Sequence, residues 1–257
     1  IGVAAVTNAH PVSSYYELNI PKLNVKDLDH QRESGTHKAI VVVSDLGFLS
    51  DEPGLLNAPS FLHPFGPPVV QISIKDWFRI KDSFEMGRSF RVFANCNRIE
   101  SKARNVSVTI QGTDPHLPPL IVMTPRSGWW ACTSERGGGV AGWLEIVRSV
   151  NRITPKRNVV FTANTGHELG HIGLQQFLKN NPKLTEESAI WIHLGANFAA
   201  KSPDKAILQY SDHELRGLVN SYLMGTALQG TKEIPIAQRP GGEVESVYDF
   251  HGRYISL

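Results

Sequence analysis

The sequence predicts an α/β protein, a three-layer α/β/α sandwich preceded by a β-rich lobe. Three observations predict it. The second half alternates strand-like and helix-like runs, the pattern of a largely parallel sheet covered by helices. The first half, to about residue 104, reads mainly as short β-branched runs broken by proline and glycine. Between Asn158 and Phe177 a strand feeds a helix through the short polar turn Asn164-Thr165-Gly166. Such a unit delivers residues to the carboxyl edge of a sheet, where open α/β sheets bind ligands.

In the first half, IGVAAV and KAIVVVSD are compact strand candidates. PPVVQISIKDW alternates as a strand and predicts a helix start at Asp76. SFRVFANC alternates as a further strand, whereas residues 44–68 carry little regular pattern. From Asn105 the texture changes. NVSVTIQG and LIVM predict strands, and Gly137-Gly138-Gly139 precedes a helix whose apolar face is Val140, Trp143, Leu144, Ile146 and Val147. The run Val159-Val160-Phe161 follows as a strand, and Leu169, Ile172, Leu174 and Phe177 mark one broad helical face. AIWIHLGANFA predicts a strand, and Leu215 to Leu228 predicts a helix.

At 257 residues the chain can bury a sizeable core in one large or two small domains. Hydrophobic content of 41% and charged content of 19% are those of a globular protein. The net charge of +2, with no basic cluster, gives no sign of nucleic-acid binding. Cys96 and Cys132 fix no compartment, and no apolar run is long enough to span a bilayer. The opening residues do not read as a signal peptide. Both ends fall inside strand-like runs, the expectation for a piece of a longer chain.

His167-Glu168-Leu169-Gly170-His171 fits H-E-x-x-H, in which two histidines one helical turn apart bind zinc and the glutamate is a general base. A mononuclear variant would use His167, Glu168, His171 and His193. The alternative for these histidines is ordinary packing and turn capping.

The run FTANTGHELGHIGLQQFL also resembles the M28 zinc aminopeptidase segment of general form F-x-x-x-x-G-E-E-x-G-x-x-G-S. The resemblance continues through NVSVTIQG, LIVMTPRSGWW, ERGGGVAGWLEIVRSV and PGGEVESVYDFHGRYISL, and covers residues 105–257. GVAAVTNAH…IPKLNV and PPVVQISIKDW are similar to the protease-associated insert of some relatives, as in transferrin-receptor-like members. The resemblance therefore implies a protease-associated-like lobe at 1–104 and an M28 peptidase-like domain at 105–257, truncated at its C-terminal end.

It also implies a degenerate metal site. Glu168 falls on a metal ligand and His167 on the general base. The H-x-D positions fall on Pro125 and Ser127, the bridging aspartate on Glu135, and the next carboxylate on Gly195, after His193-Leu194. The last histidine ligand would lie beyond Leu257. Proline and glycine offer no side-chain donor, and serine is a poor zinc ligand. The expectation is a non-catalytic binding or scaffold module with no cofactor, a protein or peptide ligand, and possible homodimerisation. The alternative is a zinc-dependent aminopeptidase-like hydrolase with catalytic His167 and Glu168 and metal ligands Glu168, His171 and His193. Arg126, Ser127, Trp129, Trp130 and Glu135 are expected to line the cleft. Ser127 with His167 could form a nucleophile–base pair, and the triple glycine could hold an anion at a helix amino terminus.

Overall fold

The computed structural model describes residues 6–9, 30–44, 63–97, 99–128, 132–195, 207–226 and 229–257. Trp129 and Trp130 lie outside them, as do Leu228 and most of the irregular stretch before Pro68. The chain divides into two compact units, residues 1–100 and 101–257.

In the first unit, β1 (Val6–Ala9), β2 (Ile40–Ser44) and β3 (Val69–Ser73) form a parallel sheet in that order. Ile40, Val42 and Val43 of β2 are fully buried, as expected of a central strand. Helix α1 (Ile74–Glu85) follows β3 directly, two residues earlier than the sequence predicts. Ser73 caps it, its hydroxyl accepting from the Asp76 amide at 3.1 Å, so Asp76 lies in the first turn. The predicted strand SFRVFANC does not form. Its alternation is that of a strand, but the segment has no ladder partner among the described residues, and Phe93 is 83% exposed.

The second unit carries a seven-stranded sheet among the described residues, in the order β4-β6-β5-β7-β10-β8-β9. The strands are β4 (Val106–Ile110), β5 (Leu120–Pro125), β6 (Val159–Asn164), β7 (Ile190–His193), β8 (Ile207–Tyr210), β9 (Lys232–Glu233) and β10 (Tyr254–Ser256). The central four, β6, β5, β7 and β10, are mutually parallel. Their side chains alternate between two cores. Ile121, Met123 and Trp191 pack with Leu174 and Phe177 of α3 (Ile172–Asn180) and Val247 of α6 (Val244–Asp249). Val122, Phe161 and Ala163 pack on the other face against Trp143 of α2 (Thr133–Arg152). Trp143 meets Phe161 edge-on at 5.8 Å and donates its indole N–H to the Val122 carbonyl. Helices on both faces of a parallel centre make the predicted three-layer sandwich.

Two further helices of the unit are α4 (Lys183–Glu187) and α5 (His213–Leu223). Helix α5 begins before the predicted Leu215 because Asp212 caps it, accepting from the Leu215 amide at 2.9 Å. Helix α2 begins at Thr133, so the triple glycine lies inside it. Its amides are spent on the helix, and the expected anion site at a helix start is not formed there. Close approach explains Gly139 instead. A Cβ there would stand 2.7 Å from Thr124 Oγ1 and 2.8 Å from the Gly195 carbonyl. Among the described residues no helix is long and apolar enough to cross a membrane.

Candidate functional site

The carboxyl ends of β5, β6, β7 and β10 meet at one edge, since Pro125 pairs with Asn164, and His193 with Met123 and Ser256. Asn164 is followed by the turn that carries the H-E-L-G-H motif. This motif does not lie on an α-helix. His167–Leu169 is a single 3-10 turn, and α3 starts only at Ile172. Gly166 and Gly170 bracket the turn at φ 66° and 85°, a conformation glycine reaches without steric cost. His171 is also left-handed, at φ 59°. The two-histidine helical face needed by the H-E-x-x-H reading is therefore absent, although the His167 and His171 rings lie 4.7 Å apart and tilted by 38°.

The turn is pinned from both sides. Asn105 accepts from the Thr165 amide at 3.0 Å and donates to the Gly173 carbonyl at 2.7 Å. Ser127 Oγ accepts from the backbone amide of His167 at 3.0 Å. That contact uses the main chain rather than the imidazole, so Ser127 and His167 do not form the nucleophile–base pair.

Arg136, in the first turns of α2, is the centre of the cluster. It is buried, and its Nε donates to the Ser127 carbonyl at 2.7 Å. Its Nη2 donates to Glu168 Oε1 and lies 3.0 Å from Glu135 Oε1. Glu135 and Glu168 are thus brought together by a guanidinium. Arg126, by contrast, is exposed and donates to the Arg104 carbonyl at 3.0 Å.

A second buried chain runs alongside. Thr162 Oγ1 donates to Asn164 Oδ1 at 2.7 Å, and Asn164 Nδ2 donates to Glu243 Oε2 at 2.9 Å. Glu243 is 0% exposed, and its Oε1 faces His167 Nδ1 at 3.6 Å. Burial alone would raise the Glu243 pKa, but the neighbouring His167 imidazole and Asn164 amide outweigh it and hold the carboxyl below its ordinary value. His193 bonds Ser256 Oγ through Nδ1 at 2.8 Å. Burial pushes its pKa down to about 4, helped by His167, His171 and Arg136 and opposed by Glu243. His171 is lowered mainly by burial, with His167 adding to the effect. In this cluster, among the described residues, the buried atoms Arg136 Nη1, His167 Nδ1, His193 Nε2 and Glu243 Oε1 have no hydrogen-bond partner.

Sequence reasoning missed Arg136, Asn164, Asn105 and Glu243. A weak signal existed for Arg136, a permanent cation in the helix that follows a sheet's carboxyl edge. Glu243, after Pro240-Gly241-Gly242, carries none.

The donor set does not fit zinc as it stands. Glu168 is engaged by a guanidinium that cannot lose its proton. Among the described residues no three His, Cys, Asp or Glu side chains are gathered so that they could hold a metal. The expected set of Glu168, His171 and His193 therefore does not make a coordination shell.

No protein-family model matches the chain, and no curated protein matches it. Solved structures do. An M28 peptidase precursor from Shewanella amazonensis SB2B superposes with a TM-score of 0.66 at 14% identity, over 98% of this chain and 58% of its own. A zinc aminopeptidase from Bacillus subtilis gives 0.64 at 12% identity, over 99% and 59%. An aminopeptidase from Aneurinibacillus sp. strain AM-1 gives 0.60 at 13%, over 98% and 59%. The chain thus has the M28 peptidase-type fold and spans less than two thirds of these neighbours' lengths. At such identities the likeness is one of fold, and function has to be argued from the site.

Proposed function

We propose that this chain is a peptidase-fold binding module. It keeps the α/β/α scaffold, carries a protease-associated-like lobe over about residues 1–104, and uses the polar cleft to hold a protein or peptide without hydrolysing it. The observation that carries this reading is the Arg136 guanidinium on Glu168 and Glu135. The carboxylates a metal centre would need are already engaged by this guanidinium. Arg136 Nη1 offers a donor and Glu243 Oε1 an acceptor, both buried and without a hydrogen-bond partner, Oε1 facing His167 Nδ1 at 3.6 Å. That pair suits the C=O and N–H groups of a peptide backbone.

The rival is a zinc-dependent aminopeptidase-like hydrolase acting through Glu168 with His167 and His171. The unpartnered imidazole nitrogens of His167 and His193 favour it. One experiment separates the two. The purified chain is incubated with zinc, desalted, analysed for metal and assayed on amino-acyl substrates. The binding-module reading expects almost no retained metal and no hydrolysis. One metal per chain with turnover, both lost in Glu168→Ala, would establish the hydrolase.

A further inference from the structure

We infer that β4 is a dimerisation edge, along which two copies of this chain pair antiparallel across a two-fold axis at Val108 and join their sheets into one. The inference is independent of what the cleft binds and goes beyond that reading.

The two ends of the seven-stranded sheet are built differently. One end is β9, only Lys232 and Glu233, and Glu233 accepts from Arg216 Nε at 2.6 Å and from Asn220 Nδ2 at 2.9 Å. A very short, charged strand blunts a sheet edge. The other end is β4, Val106-Ser107-Val108-Thr109-Ile110, which holds no charge and no proline. Among the described residues β4 pairs with β6 alone, so its outer side presents a row of main-chain donors and acceptors. Val106 is 50% exposed and Val108 41%. Open β-branched residues on an unguarded edge are a template for one more strand.

The edge is complementary to itself. In an antiparallel pair centred on Val108, Val106 lies opposite Ile110 of the second copy, Ser107 opposite Thr109, and Val108 opposite its own equivalent. Apolar side chains meet apolar ones and hydroxyls meet hydroxyls, pairings that stabilise neighbouring strands. Carried past the strand ends, the same register sets Lys102 against Asp114 of the second copy, a pair of opposite charge. Residues 112–114 stay on the strand's course, since Gly112 donates to Asn158 Oδ1 at 2.8 Å, and Thr113 and Asp114 donate to the Pro155 and Lys156 carbonyls at 3.0 and 2.8 Å. Val106, Val108 and Ile110 share the sheet face of their β6 partners Ala163, Phe161 and Val159, which belong to the Trp143 core. A two-fold axis perpendicular to the sheet keeps that face on one side in both copies, so the two apolar stripes become continuous. An arbitrary extended peptide would satisfy the main chain but not this register. The contact is smaller than a standard interface, so the dimer is weak and concentration-dependent.

The test follows the full chain by sedimentation equilibrium from about 5 to about 200 µM, with hydrogen exchange of the β4 amides at both ends of that range. The mass should rise from one chain toward two, and the outward amides of β4 should be protected only at the higher concentration. Val108→Lys places like charges opposite each other on the axis and should weaken the dimer by about tenfold or more. Lys102→Asp and Asp114→Lys should each weaken it by about two- to fivefold, and Lys102→Asp/Asp114→Lys should restore it. If Val108→Lys does not fold, the charge reversals decide alone. A dimer indifferent to these substitutions is built elsewhere and overturns the inference. So do β4 amides already protected at the lowest concentration, which would mean that the chain's own residues cover the edge. A single-chain mass throughout with freely exchanging β4 amides also overturns it, and leaves the edge to a different protein. None of these outcomes bears on the cleft.

Discussion

Two of the arginine–carboxylate clusters in the second unit are built from the same chemistry in different surroundings. Arg253 meets Asp212 through Nε at 3.1 Å and Nη2 at 3.2 Å, and Glu214 at 2.9 Å. All three side chains are partly or largely exposed. Arg136 and Glu168 meet in the interior, with Glu135 part-exposed beside them, and atoms of His167, His193 and Glu243 nearby share with Arg136 Nη1 the lack of a hydrogen-bond partner. The first cluster is complete and screened by water. The second has a buried centre, is open to water only at Glu135, and is incomplete. Native interiors rarely leave buried polar groups unpaired. Several together, at the carboxyl edge of a parallel sheet, are why the proposed binding role is assigned to this edge rather than to the surface cluster.

The sharpest way to break this comparison is to remove one carboxylate from each cluster. Glu168→Ala leaves the buried guanidinium with the part-exposed Glu135 as its one carboxylate in the cluster and should cost up to about 3–5 kcal/mol, read from urea unfolding midpoints. Replacing Arg136 and Glu168 together with apolar residues of similar volume should cost far less, because the uncompensated charge disappears with its partner. Similar losses for the single and the paired replacement would mean that packing, not charge, holds the cleft.

A second contrast is in pH. His193 has its pKa pushed down to about 4 by burial, so the folded chain favours the neutral imidazole. A depressed folded-state pKa contributes stability that is fully present above the unfolded value of about 6.5 and is lost as the pH falls toward the folded one. Stability should therefore decline between about pH 6.5 and pH 4, by up to ~3 kcal/mol. His193→Gln should flatten that decline while lowering stability at pH 7, through the lost contact with Ser256. An unchanged slope in the variant would assign the titration to another group.

How much of this was legible in the sequence follows from where each signal resides. The run Val159-Val160-Phe161 and the turn Asn164-Thr165-Gly166 were readable because β-branched residues and a polar turn act locally. The edge position of His167, Glu168 and His193 followed from that pattern. The start of α2 was not readable, because three consecutive glycines argue against a helix. Gly139 is tolerated there because β5 and the β7 exit pass too close for a side chain, a fact of packing. SFRVFANC failed in the opposite direction, since alternation cannot supply a neighbouring strand. The H-E-x-x-H spacing was present, but left-handed Gly170 and His171 delay the helix past it. Arg136 and Glu243 escaped notice because their partners are distant in sequence. Glu168 lies 32 positions from Arg136, and Asn164 lies 79 from Glu243.

The smallest expected effect is on the exposed side of the comparison. Asp212 caps α5 through the Leu215 amide and receives Arg253. Partial burial works to raise its pKa, but the hydrogen bonds from Arg253, the Leu215 amide and Ser211 win and bring it to about 2. The lowered carboxylate contributes stability that is present above the unfolded value near 4 and is lost as the pH falls through about 2. Asp212→Ala should cost about 1–2 kcal/mol near neutral pH, most of it the cap, because solvent-exposed pairs contribute little. Asp212→Asn separates the two contributions. Its amide oxygen can still cap the helix, so it should recover most of the loss, and the small remainder should shrink further in high salt. If Asn recovers nothing, the exposed ion pair is as strong as the buried one, and the distinction drawn between the two clusters fails at its solvent-facing end.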